Sequence, residues 1–296
     1  MLLCAAAGSS LTRAALASRA RCTAAGSGHG QQRADGKSNV ITGKSGSILT
    51  IGINRPEARN AINRTTALQL LEAFTTFEND RTFTAAVLYG RGGNFSAGYD
   101  LKELAQDAAA AKYEQDVTKD PGPLGPSRMQ FSKPVVAAVS GYAVAGGLEL
   151  SLLADLRVME ENAVMGVFCR RFGVPLIDGG TVRLPKLIGL SRALDLILTG
   201  RPISAQEAHE FGLANRVVPD GQAFQCALEL AEQISAFPQN CMCADRASAY
   251  YSMFDASCFT EALQYEFDNA KDVISKESVS GARNFVSGTG RQGKFS

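Results

Sequence analysis

Gly141-Tyr-Ala-Val-Ala-Gly146-Gly147-Leu-Glu149-Leu-Ser-Leu-Leu-Ala-Asp155 is a nearly apolar stretch that holds two adjacent glycines and, two residues on, a single glutamate. A carboxylate set among Leu148, Leu150, Leu152 and Leu153 is expensive to bury, so its position asks for a chemical reason, and proton transfer is the obvious one. The competing explanation is a carboxylate that reaches the surface or pairs with a distant arginine. Gly146 and Gly147 allow a tight turn and close approach of a ligand, and the helix that follows them directs free N–H groups at whatever sits there. A developing oxyanion fits that place.

Upstream, Gly92-Gly-Asn-Phe-Ser-Ala-Gly98-Tyr99-Asp100-Leu-Lys102-Glu103-Leu follows the strand-like run Thr84-Ala-Ala-Val-Leu-Tyr89 and leads into a helical pattern from Leu101. This strand, glycine loop and helix bring a second backbone N–H, that of Tyr99, to a helix start. Two such amides can form an oxyanion hole, in which one donor is worth ~3 kcal/mol where it has been removed from an enzyme. Each glycine loop alone is equally a simple turn.

Around these two segments, strand-like and helical runs alternate. Ser47–Ile53, Val135–Val139 and Leu156–Met159 read as strands, and Arg64–Asn79 carries Leu68, Leu71 and Phe74 at helical intervals. The alternation predicts an α/β fold. Ala105–Met129, with Pro121-Gly-Pro-Leu-Gly-Pro126, reads as a helix and a mobile loop beside the pocket.

Taken together these motifs resemble the crotonase superfamily, the enoyl-CoA hydratase/isomerase family. The resemblance runs from Ile51-Gly-Ile-Asn-Arg-Pro-Glu-Ala-Arg-Asn-Ala-Ile62 through Phe95–Leu104 and Lys133–Glu149. It continues through Asp178-Gly-Gly-Thr-Val-Arg-Leu-Pro-Lys-Leu-Ile-Gly189 to Leu198–Ala208 and Gly212–Val218, more than half of the chain. It implies a spiral of ββα units over 39–236 and a helical C-terminal region, 237–296, that supports a homotrimer or a dimer of trimers. It also implies an acyl thioester of coenzyme A as substrate, with no cofactor beyond the coenzyme A that the substrate carries. On this resemblance Glu149 is the general acid/base, and Tyr99 and Gly146 supply the oxyanion hole. Ala97 and Leu101 lie beside the adenosine moiety through their backbones, and Arg55, Arg59 and Lys102 are candidates for its phosphates. For Arg59 a solvated surface charge is an equal reading.

One departure matters for the chemistry. In enoyl-CoA hydratases a second glutamate stands on the loop that here reads Met165-Gly-Val-Phe-Cys169-Arg-Arg-Phe-Gly-Val-Pro-Leu-Ile-Asp178, and alignment puts Cys169 at its position. A thiol with a pKa near ~8.5 does not substitute for a carboxylate base. Asp178 is the candidate replacement, with helix N-capping before Gly-Gly-Thr as the alternative. Cys169 itself reads as a small buried residue rather than a nucleophile. Hydration leads, while isomerisation, decarboxylation, thioester hydrolysis and non-catalytic coenzyme A binding remain open.

Composition narrows the other classes. The 296 residues are 45% hydrophobic and carry 30 basic against 29 acidic side chains, so no electrostatic footprint for nucleic acid exists. No apolar run is long enough to span a bilayer, so membrane insertion is not expected. Only His29 and His209 are present, which leaves little for a histidine triad or metal centre, and the seven cysteines lack zinc-ligand spacing and read mostly as free thiols. Residues 1–38 form a compositionally distinct leader with Arg13, Arg19, Arg21 and Arg33 before the first acidic residue, Asp35. Such a leader resembles a mitochondrial transit peptide and predicts a matrix location; a merely disordered extension and a secretory leader are the alternatives, and Ser9, Ser10, Thr12 and Arg13 break the apolar stretch that secretion needs.

Overall fold

The structure is a computed structural model that describes residues 38–106 and 116–290; the expected leader lies almost wholly outside the described residues. In chain order the strands are β1 (Val40–Ser45), β2 (Ile48–Ile53), β3 (Ala85–Gly90), β4 (Val135–Val139), β5 (Tyr142–Val144), β6 (Leu156–Glu160), β7 (Val164–Gly166), β8 (Ile203–Ser204) and β9 (Arg216–Val218). The helices are α1 (Arg64–Asn79), α2 (Leu101–Gln106), α3 (Gly146–Ser151), α4 (Gly180–Ile188), α5 (Leu190–Thr199), α6 (Ala205–Glu210), α7 (Ala223–Ser235), α8 (Gln239–Phe254), α9 (Phe259–Val273) and α10 (Val279–Ser287).

A six-stranded sheet runs in the order β1-β2-β3-β4-β6-β9, antiparallel only between β1 and β2. Parallel strands covered on both faces read as continuous apolar runs, and both β2 and β4 are buried along their whole length. Alternation then divides the side chains. Ile48, Ala85, Val87, Val136, Ala138 and Val158 face α7, where Ala223, Ala227 and Ala231 line one stripe and let the helix approach closely. Leu49, Ile51, Ala86, Leu88, Val135 and Ala137 face the other way into the larger core, against Leu70, Phe74 and Phe77 of α1.

The smaller sheet, β5-β7-β8, begins where the chain leaves β4 and carries the Gly146-Gly147 turn into α3. Helix α3 is short because Leu152 and the residues beyond it turn back toward β6, and Arg157 holds that end. Its buried guanidinium donates to the carbonyls of Ser151, Ala154 and Leu213. Carbonyls at a helix C-terminus are natural partners for a cation.

The expected α/β class with a helical C-terminal region is what the chain forms. The expected mobile loop is in part a structured wall: Gly122–Met129 folds into a turn and a 3-10 segment with Leu124, Pro126 and Ser127 buried. Much of the segment expected to hold a helix after Ala105, 107–115, lies outside the described residues. Helices α9 and α10 bury none of their side chains, and Phe259, Phe267 and Phe285 are exposed. Among the described residues no helix is long and apolar enough to cross a membrane.

Candidate active site

Two loops are laced together to make the floor of the site. Ser96 donates its N–H to Tyr142 O at 2.9 Å and accepts from Val144 N at 3.1 Å, tying the Asn94–Asp100 loop to β5. Gly98, at φ 87°, passes so near the start of α3 that a Cβ on it would lie 2.6 Å from the Gly146 nitrogen. Ala145 enters the helix at φ 54°, ψ −125°, a conformation rarely taken by a residue with a Cβ, and its N–H is held by Gly166 O at 2.8 Å. Tyr99 bridges Ile62 through its two neighbours, because Ile62 N donates to Gly98 O and Asp100 N donates to Ile62 O. The Tyr99 N–H therefore faces the opposite side.

Gly146 is the first residue of α3, where an N–H has no intrahelical acceptor. Among the described residues neither this N–H nor that of Tyr99 donates to any acceptor, and both residues line a cavity of about 890 Å³.

Two of the carboxylates that line the same cavity are buried. Glu149, on the first turn of α3, is 3% exposed, and its Oε1 accepts from Asp178 N at 3.0 Å and Gly180 N at 2.8 Å. Asp178 is 4% exposed, and its Oδ1 accepts from Leu124 N at 3.0 Å and from the Ser127 hydroxyl. No buried side-chain oxygen of the described residues lacks a hydrogen-bond partner. Glu149 Oε2 and Asp178 Oδ2 accept no bond, so each is reachable from the cavity rather than sealed behind its wall. Each acid is thus pinned by one oxygen and open at the other.

Burial raises the pKa of Glu149 to about 7, with the nearby Asp178 charge adding to the rise and the N–H groups of Gly180 and Asp178 opposing it. Asp178 is also raised by burial, against the pull of Ser127 and Leu124. Near neutral pH Glu149 can both give and take a proton.

Asp178 does not cap α4. The N-cap is Gly179, at φ 95°, with no side-chain bond to the helix, and the carboxylate turns instead toward Leu124 and Ser127. The helix-capping alternative is therefore corrected. The group at the N-terminus of α4 is Glu149, which accepts from Gly180 N.

Cys169 lines the cavity at 8% exposure, and burial together with the Glu149 charge pushes its thiol pKa up. Ala97 and Leu101 also border the cavity. Arg55, Arg59 and Lys102 do not. The Arg55 guanidinium bonds Asp100 at 2.9 Å and the Ala61 carbonyl at 2.5 Å, so it staples the loop. Arg59 lies over the Tyr142 ring at 5.6 Å, and Lys102 is exposed on α2.

Sequence reading passed over Ser127, the Leu124 N–H and Arg183. Their link to Asp178 is a tertiary contact across more than fifty positions, except for Arg183, which stands within the Gly-Gly-Thr-Val-Arg motif itself. Arg64 and Arg128, also passed over, are the cavity's arginines.

A family model described as Enoyl-CoA hydratase/isomerase matches residues 43–289. Enoyl-CoA hydratase EchA19 of Mycobacterium tuberculosis is 37% identical over 258 residues, 84% of this chain and 93% of that protein. Carnitinyl-CoA dehydratase of Salmonella typhi is 40% identical over 194 residues, 64% of this chain and 72% of that protein. The crystal structure of enoyl-CoA hydratase EchA1 from Mycobacterium marinum superposes with a TM-score of 0.77 at 30% identity, covering 85% of this chain and 96% of that one.

Proposed function

The chain belongs to the enoyl-CoA hydratase/isomerase family, and from that membership we propose that it hydrates, or reversibly dehydrates, an acyl-CoA thioester at the Glu149 cavity. The observation that carries the reading is the meeting, in one cavity, of two unengaged amides and a carboxylic acid with one open oxygen. The thioester oxygen accepts from the N–H groups of Tyr99 and Gly146. As water adds to C3, electrons move from the C2=C3 bond into the thioester, and the two amides hold the enolate charge. Glu149 transfers one proton through Oε2. Asp178, open at Oδ2, is the second proton-transfer group.

Cys169 stands where hydratases of the family carry a second glutamate, and its un-ionised thiol offers no base. That favours a second reading, isomerisation, in which one carboxylate moves a proton between C2 and C4. The family resemblance further supports a homotrimer or a dimer of trimers, to which α8, α9 and α10 would contribute. The arginine-bearing leader supports a mitochondrial matrix location, although the relatives named above are bacterial.

Turnover of crotonyl-, 3-enoyl-, dienoyl- and malonyl-type CoA thioesters by the protein and by Asp178→Asn tests the reading. Loss of absorbance from the 2-enoyl thioester, abolished in the variant, is the expected result. Transfer of the double bond from the 3-enoyl thioester without hydration selects isomerisation. No turnover of any thioester overturns both.

A further inference from the structure

The Glu149–Asp178 pair is backed by a charge that the chemistry above does not use. Arg183 lies on the first turn of α4, an end where the helix dipole disfavours a cation. Its location is explained by what it touches. Nη1 donates to the Asp178 carbonyl at 3.1 Å and Nη2 to the Ser127 carbonyl at 2.8 Å. The two carbonyls belong to different walls of the cavity, one on the segment that precedes α4 and one on the 3-10 turn Pro126–Arg128. Gly179 is closed over the guanidinium so tightly that a Cβ there would collide with Nη1. Arg183 is not among the ion-paired side chains of the described residues, so its charge is not consumed by a direct carboxylate contact.

We propose that Arg183 is a positioning residue of this site, clamping the Ser127 turn to the Asp178 segment so that Asp178 keeps Oδ1 on Ser127 and Leu124 and presents Oδ2 beside Glu149. The inference rests on Asp178 taking part in proton transfer. Without the clamp, the hydrogen bonds that join the two walls among the described residues are those of the Asp178 carboxylate itself, the group that has to change its protonation state during turnover. With it, the join is made by neutral carbonyls and survives each proton transfer.

The charges around the pair act in opposite directions, the Asp178 carboxylate raising the proton affinity of Glu149 and the arginines lowering that of both acids. Glu149 faces Asp178 and Arg183, Asp178 faces Arg128 and Arg183, and the Cys169 thiol faces Glu149. Tyr250 of α8 also acts electrostatically on Arg183. Burial raises the proton affinity of both acids, and Arg183 opposes that rise in each. Loss of Arg183 therefore moves both acids further upward.

The test is kcat and KM against pH for Arg183→Gln and Arg183→Lys, beside the parent and Asp178→Asn, with folding checked by circular dichroism and thermal melting. The thioester is whichever of the panel the parent turns over. For Arg183→Gln the expected result is KM within about threefold of the parent, kcat lower by about tenfold or more, and the pH dependence of kcat moved upward. Arg183→Lys keeps the charge but not the two-carbonyl reach, so its kcat falls while its pH dependence stays nearer the parent's. That split separates positioning from bulk stabilisation, and Arg183→Lys alone decides the matter if the glutamine variant does not fold.

A folded Arg183→Gln or Arg183→Lys with the parent's kcat overturns the clamp, and so does a loss confined to KM. If Asp178→Asn is inactive in that case, the Asp178 reading stands and only the clamp fails. If Asp178→Asn turns over like the parent, the Asp178 reading fails and the clamp fails with it.

Discussion

Glu149 holds its proton because burial outweighs the two N–H groups that favour its charge. A carboxyl whose pKa rises from 4.5 in the unfolded chain to about 7 in the fold is protonated in both states at low pH. As pH climbs through that window the unfolded chain gives up the proton first, so the folded state loses stability from this group until it too is ionised. Glutamine keeps an oxygen for the Asp178 and Gly180 N–H groups and has nothing to ionise. Glu149→Gln is therefore expected to match the parent near pH 4 and to exceed it by ~3 kcal/mol at pH 8, a tenfold change in proton affinity being worth about 1.4 kcal/mol. Urea melts at the two pH values read this directly. Cys169 gives a second residue-scale prediction. A buried thiol held in its neutral form alkylates more slowly than exposed Cys241 or Cys258, so peptide mapping after brief iodoacetamide treatment should find Cys169 the least modified of the three. Comparable labelling of all three would contradict the burial described here.

At the scale of elements, α1 and β4 begin and end where the sequence reading puts them, and the reasons are local. Asn63 accepts from Thr66 N at 3.0 Å to start α1, and β4 is a run of buried β-branched and small residues. Asn63→Ala should cost about 1 kcal/mol in a denaturation experiment. The glycine turn into α3 was legible for a similar reason, since Gly98 and Gly146-Gly147 are places where the backbone has no room for a side chain. A methyl at Gly98 presses on the Gly146 nitrogen and demands an unfavourable φ, so Gly98→Ala should lower kcat by roughly a hundredfold by displacing a donor. Parental kcat in that variant would place the oxyanion elsewhere. What the sequence left open was the surroundings of Asp178. Its side-chain partners, Leu124 and Ser127, are 54 and 51 positions away and leave no periodic trace, whereas Asp-Gly-Gly-Thr imitates a local cap. Arg55 is the opposite case. Its motif was visible, but the tertiary partner Asp100, which takes up its charge, was not.

For the whole molecule, the apolar side chains divide unevenly. Those on the two faces of the six-stranded sheet are buried, while Phe259, Phe267 and Phe285 of the C-terminal helices are exposed in the isolated chain. Exposed aromatic side chains in such number call for a covering surface. The proposed trimer supplies one, and light scattering should return three or six copies, with Phe267→Asp shifting the population toward monomer. The cavity walls are built from α1, α3 and the segments before β4 and α4. The most direct measurement is turnover of a 2-enoyl-CoA by the protein and by Glu149→Gln, with thioester affinity measured alongside. The expected result is a loss of kcat of at least about a hundredfold in the variant at nearly unchanged affinity. Equal turnover by both proteins, or none by either with affinity intact, would contradict the assignment of Glu149 as the proton-transfer group.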